Sequence, residues 1–103
     1  MLSFIYGYLS SIFTTISFDE TNQVIVIKEP SLRIEKVTIE SIDEELNEVI
    51  KSIVYRVEYH SFFEYISEYE LSYSKKPDLI IQDTLKRLMK KPYEKVNIPT
   101  ENY

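Results

Sequence analysis

Cysteine and tryptophan are absent from the 103 residues, and glycine occurs once, at Gly7. Without cysteine there is no disulfide, no thiolate metal site and no cysteine nucleophile, which fits a reducing cytoplasm. With one glycine, glycine-rich phosphate loops are excluded as a class. Turns then fall to Asn, Asp and Pro, as in Asp19-Glu20-Thr21-Asn22 and Glu29-Pro30-Ser31. Histidine also occurs once, at His60, and no Ser-His-Asp spacing is recognisable around it. Long apolar runs are scarce. The uncharged stretch 1–18 is shorter than the roughly 20 residues of a membrane span, and six of its residues are Ser or Thr. It carries no basic n-region of a signal peptide.

What is present describes one folded domain over residues 1–103. Hydrophobic residues make up 44% and charged residues 28%, a balance that separates the chain from disordered ones. The net charge of −5 is unevenly spread. Residues 1–74 carry 5 basic and 13 acidic groups, whereas residues 75–95 carry 7 basic and 3 acidic ones. The body is acidic and the C-terminal segment basic.

Residues 1–18 place Leu2, Ile5, Tyr6, Leu9, Ile12, Phe13 and Ile16 at helical spacing, which predicts an amphipathic N-terminal helix packed on the domain. Its end also alternates as a strand, and with Gln23–Lys28 it reads as a hairpin. From Leu32 to Glu40 the apolar phase switches near Glu35-Lys36, which suggests a bulged strand. Ser41-Ile42-Asp43-Glu44 has the form of a capping box. The helix behind it would place Ile42, Leu46, Val49, Ile50 and Ile53 on one face. Val54–His60 reads as a strand, Pro77–Lys91 as a second helix stopped by Pro92, and 93–103 as an extended tail.

Between these lies the densest aromatic segment. Six of the fourteen aromatic residues fall between Tyr59 and Tyr73, where Phe63, Tyr65, Ser67, Tyr69, Leu71 and Tyr73 alternate with Glu64, Ile66, Glu68, Glu70 and Ser72. That pattern predicts a strand with one aromatic and one acidic face. The two halves of the chain also align, residues 23–53 with 54–91, as two ββα pseudo-repeats. The fold class expected is α+β, a small, mainly antiparallel sheet with helices on one side, preceded by an N-terminal helix or strand.

No catalytic constellation accompanies the acidic pairs Asp43/Glu44 and Glu68/Glu70, so no enzyme and no cofactor are expected. His60, Glu64 and Glu68 share a face, but glutamates outside an aromatic strand and a histidine at a turn need no metal, and none is assigned. The reading favoured is a protein or peptide interaction module, pairing with a partner or itself as a homodimer through Tyr55, Tyr59, Phe63, Tyr65, Tyr69 and Tyr73. One alternative is nucleic-acid binding through Lys86, Arg87, Lys90 and Lys91. Another is an acidic inhibitor that mimics nucleic acid through Glu40, Asp43, Glu44, Glu45, Glu48, Glu58, Glu64, Glu68 and Glu70. Membrane attachment is disfavoured because the N-terminal helix lacks a Lys/Arg face.

Abundant Ile, Glu, Lys and Tyr with almost no Gly and no Cys resembles, in composition, the small orphan proteins of viruses that infect hyperthermophilic archaea. The resemblance implies a viral accessory role in a host cytoplasm and assigns no site residue.

Overall fold

Alternating β-branched residues build most of the molecule, and helices cover one of the two faces they create. The computed structural model describes the backbone of residues 1–101 and the side chains of residues 1–92. In chain order the elements are α1 (Leu2–Ser10), β1 (Ile16–Asp19), β2 (Val24–Ile27), β3 (Leu32–Asp43), β4 (Glu48–Tyr59), β5 (Phe62–Ser67), α2 (Glu68–Tyr73) and α3 (Pro77–Glu101). The strands form one antiparallel sheet in sequential order, β1-β2-β3-β4-β5, and the fold is α+β.

The core fills the space between the sheet and the three helices. Ile25, Ile27, Leu32, Ile34, Tyr55, Val57 and Ile66 supply the sheet side. Leu2, Ile5 and Leu9 of α1, Leu71 of α2, and Ile81, Leu85 and Leu88 of α3 supply the helix side. These positions recur at period two on the strands and at three or four on α1 and α3, as one buried face of each element requires. Thr84 is the buried polar side chain of this layer, and its hydroxyl donates to Ile80 O at 2.8 Å, so burial leaves no unpaired donor there.

Turn chemistry follows from the scarcity of glycine. In the β1–β2 turn the Asp19 carboxylate accepts from the Asn22 backbone and side-chain amides, which holds its pKa below the ordinary range. Gln23, Asn47 and His60 take left-handed φ values of 55°, 52° and 56° at three of the four strand connections, the work glycine does elsewhere.

The structure corrects several expectations. Ile42–Ile53 is not a helix: β3 runs on to Asp43, the chain reverses over 44–47, and β4 returns from Glu48. Asp43 Oδ1 accepts from the Glu45 and Leu46 amides at 3.0 and 3.3 Å, so the carboxylate closes a turn where a capping box was expected. Without that helix the first half lacks the third member of a ββα unit, and the pseudo-repeat is not seen. Nor does β3 bulge. Its register with β4 is unbroken from Leu32↔Tyr59 to Asp43↔Glu48. The apolar phase switches because Leu32 and Ile34 face the helices, whereas Val37 and Ile39 face the opposite side.

The aromatic strand ends at Ser67, and Tyr69, Leu71 and Tyr73 lie on helix α2. Ser67 is its N-cap, with Oγ accepting from the Tyr69 and Glu70 amides. Helix α3 begins at Pro77 as expected but stays helical through Pro92 to Glu101, where an extended tail was expected from residue 93. A proline removes one hydrogen bond from the ladder and need not end the helix. Residues 102 and 103 of that tail lie outside the described residues. Among the described residues no helix is long and apolar enough to cross a membrane.

Candidate functional site

The face of the sheet away from the helices has no covering layer among the described residues. In an antiparallel pair, residues directly opposite share a face. The register therefore places Val24 and Val26 of β2, Arg33, Glu35, Val37 and Ile39 of β3, Glu58, Arg56, Val54 and Ile50 of β4, and Phe63 and Tyr65 of β5 together on it.

Its centre is a neutral checkerboard of charge. Arg33 stands opposite Glu58 and Glu35 opposite Arg56 across the β3–β4 ladder. Along the strands, Arg33 bonds Glu35 at 3.5 Å and Arg56 bonds Glu58 at 3.3 Å. All four side chains are about half exposed or less, so the network orders the surface more than it stabilises the fold. Beside it, the Arg56 guanidinium lies 4.4 Å over the Phe63 ring, and Phe63 meets Tyr65 edge-on at 5.6 Å. Arg56 Nε is buried in this arrangement without a hydrogen-bond partner. Phe63, Tyr65, Val26, Ile39 and Ile50 are exposed around the charged centre.

The six aromatic residues expected to form one binding face are divided among three environments. Tyr55 is core, 1% exposed, and Tyr59 points to the same side and packs against the core. Phe63 and Tyr65 lie on the open sheet face. Tyr69 and Tyr73 stand out from α2 at 71% and 75% exposure, their rings 4.6 Å apart. Burial, and then the bond to the Glu68 carboxylate, raise the Tyr55 phenol above the ordinary tyrosine pKa.

The basic cluster is also divided. Arg87 donates through Nη2 and Nε to Glu64 of β5 at 3.0 and 3.2 Å, and Lys91 Nζ lies 3.8 Å from the same carboxylate. The hydrogen bonds that Arg87 donates to Glu64 are the main cause of its raised pKa. Two of the four cations are thereby engaged in holding α3 on the sheet, while Lys86 and Lys90 face solvent. The three residues weighed as metal ligands point to separate tasks. His60 sits in the β4–β5 turn, Glu64 holds Arg87, and Glu68 holds Tyr55. Among the described residues no group of three or more His, Asp or Glu side chains is placed to hold an ion.

Sequence reasoning missed one feature altogether. Beyond the Glu35↔Val24 pair on one side and Val54↔Ser67 on the other, the β3–β4 hairpin continues as a two-stranded arm, from Thr38↔Ile53 to Asp43↔Glu48. Its side chains include Ile39, Ile42, Leu46, Val49 and Ile50, all exposed. At the base of the arm, Lys51, Ser52 and Ile53 of β4 and Ser67, Tyr69 and Tyr73 around α2 line a groove of about 340 Å³. A second, apolar depression of about 520 Å³ lies where α1 meets the start of α3, lined by Phe4, Gly7, Tyr8, Pro77 and Asp78. No protein-family model, no curated protein and no solved structure matches this chain.

Proposed function

We propose that the protein is a non-enzymatic interaction module that presents the open face of its sheet to a protein or peptide partner. The observation that carries this reading is the placement of Phe63 and Tyr65, exposed beside Arg56 on a sheet whose other face is filled by three helices. Tyrosine, phenylalanine and arginine are the residues that dominate the centres of protein interfaces. A sheet face fixed from behind offers them at little further entropy cost on binding. The alternating Arg33, Glu35, Arg56 and Glu58 network would set the orientation of a partner more than its affinity. The engagement of Arg87 and Lys91 by Glu64 favours this reading over nucleic-acid binding through the C-terminal helix. Composition supports the setting of a viral accessory protein working in a host cytoplasm.

Affinity capture from an extract of the source cells tests it, comparing the native chain with a Phe63→Ser/Tyr65→Ser variant. A partner retained by the first and lost by the second, with both chains melting alike, is the expected result. Equal retention by both would remove the sheet face as the binding surface.

A further inference from the structure

We infer that the protein dimerises through the free edge of the β3–β4 arm, strand β4 of one copy pairing antiparallel with β4 of a second about a two-fold axis at Ile50. The pairing uses the β4 edge at Val49 and Lys51, which Phe63 and Tyr65 do not border, so either can fail without the other.

The backbone fixes which edge groups are available. Lys36 N–H bonds Gln23 O, so even-numbered residues of β3 turn their peptide groups toward β2. Their partners, the odd-numbered residues of β4, therefore turn theirs toward β5. Strand β5 ends opposite Val54. Past that point, Val49 and Lys51 hold their N–H and C=O groups out along an edge that no strand covers among the described residues. Such an edge is a template for another strand, and an arm of two strands alone is marginal in water.

Antiparallel pairing across a two-fold places residues of like parity opposite each other. Centred on Ile50, it sets Ile50 against Ile50, Val49 against Lys51 and Glu48 against Ser52. No like charges stand directly opposed. The Val49–Lys51 pairs are the hydrogen-bonded ones, closing four backbone bonds. In the same register the hairpin tip of each copy reaches the groove beside α2 of the other, where Leu46, 65% exposed, meets Tyr69 and Tyr73.

Charge supports the same occupant. The tip carries Asp43, Glu44, Glu45 and Glu48 and no cation, while the receiving groove contains Lys51, itself 3.8 Å from Glu40 of its own chain, and is followed by Lys75 and Lys76. Of the acids of α2, Glu68 is engaged with Tyr55. The area is sufficient for a reversible dimer. Two largely exposed tyrosines on each copy offer on the order of 500 Å². The aliphatic side chains and paired edges bring the total toward the roughly 1,000–1,200 Å² at the low end of specific interfaces.

Sedimentation equilibrium of the full chain from about 1 to 300 µM is the first arm of the test, with a dimer expected. Lys51→Pro is the second. It removes an edge N–H that bonds nothing among the described residues, so the fold should melt unchanged at low concentration while dimer affinity falls at least tenfold. The third arm uses the lack of native cysteine. Ile50→Cys sits at a non-hydrogen-bonded pair with Cα atoms about 4.5 Å apart, within disulfide reach, and should cross-link on mild oxidation. Ile39→Cys, on the neighbouring strand, should not. A chain monomeric at 300 µM would overturn the proposal. So would a dimer that fails to cross-link at Ile50 or that cross-links equally at Ile39. If Lys51→Pro does not fold, Tyr69→Ser/Tyr73→Ser, altered at exposed positions, replaces it and must weaken the dimer to the same extent.

Discussion

The Tyr55 phenol donates to Glu68 Oε1 across 2.8 Å, tying the middle of β4 to the first residue of α2. A buried hydroxyl and the carboxylate at the start of a helix satisfy each other, and the chain turns off the sheet at that point. Tyr55→Phe keeps the ring and deletes the bond, and a hydrogen bond to a charged group contributes about 1.5–3 kcal/mol. Thermal melting should drop by roughly 6–24 °C on the scale for a domain of this size.

The same bond has a signature at alkaline pH. The Tyr55 pKa is raised in the folded state by burial and then by Glu68, so folding favours the neutral phenol. That contribution is whole below the ordinary tyrosine pKa near 10 and is lost as pH rises above it. Ultraviolet titration should show Tyr55 ionising last, in a step that coincides with loss of the folded circular dichroism. In Tyr55→Phe that late step should be missing.

Ser41 and Ser67 are each followed by glutamate three residues on, and they end differently. Ser67 caps α2, its Oγ accepting from the Tyr69 and Glu70 amides, whereas Ser41 sits in the arm of β3 with an exposed side chain. Ser67→Ala should therefore cost about 0.5–2 kcal/mol. Ser41→Ala should change stability by less than about 0.5 kcal/mol, as at other exposed sites. Chemical denaturation of the two variants against the native chain measures both.

These serines also mark where the sequence was legible. The class of fold, the N-terminal helix, the hairpin that follows it and the Pro77 start of α3 can be read from periodicity and punctuation. The arm could not be read that way, because Ile42, Leu46, Val49, Ile50 and Ile53 satisfy a helical stripe as well as a hairpin. Four of those five are β-branched, a signal for strand that a capping-box motif outweighed. Likewise, the phase switch after Lys36 records which face of the sheet is covered, and that depends on helices distant in sequence. Of the expected binding residues, Phe63 and Tyr65 are exposed on one face as their shared parity suggested. Tyr55 has the parity of the core and could be separated from them only with the β4–β5 register known.

The C-terminal cations give a prediction about salt. With Arg87 and Lys91 on Glu64, the described part of α3 offers Lys86 and Lys90 to solvent. Two phosphate contacts correspond to a slope of about −1.8 in log K against log salt. Titration of duplex DNA should give no binding, or a slope no steeper than that. A slope near −4.5 would mean about five contacts, more than Lys86 and Lys90 alone supply.

The arm separates folding from association most sharply. Ile42 and Val49 face each other across the ladder, and both are exposed, Val49 at 61%. On a buried helical stripe, replacing either with Thr would bury an unpaired hydroxyl and cost roughly 1–3 kcal/mol. On the arm, Thr keeps the β-branch that suits a strand, and its hydroxyl stays in water. Ile42→Thr and Val49→Thr should each melt within a few degrees of the native chain at concentrations where it is monomeric. A drop of ten degrees or more would mean that these side chains are packed inside a single copy. Stability would then depend on the arm, and its exposed aliphatic residues would need no partner to account for them.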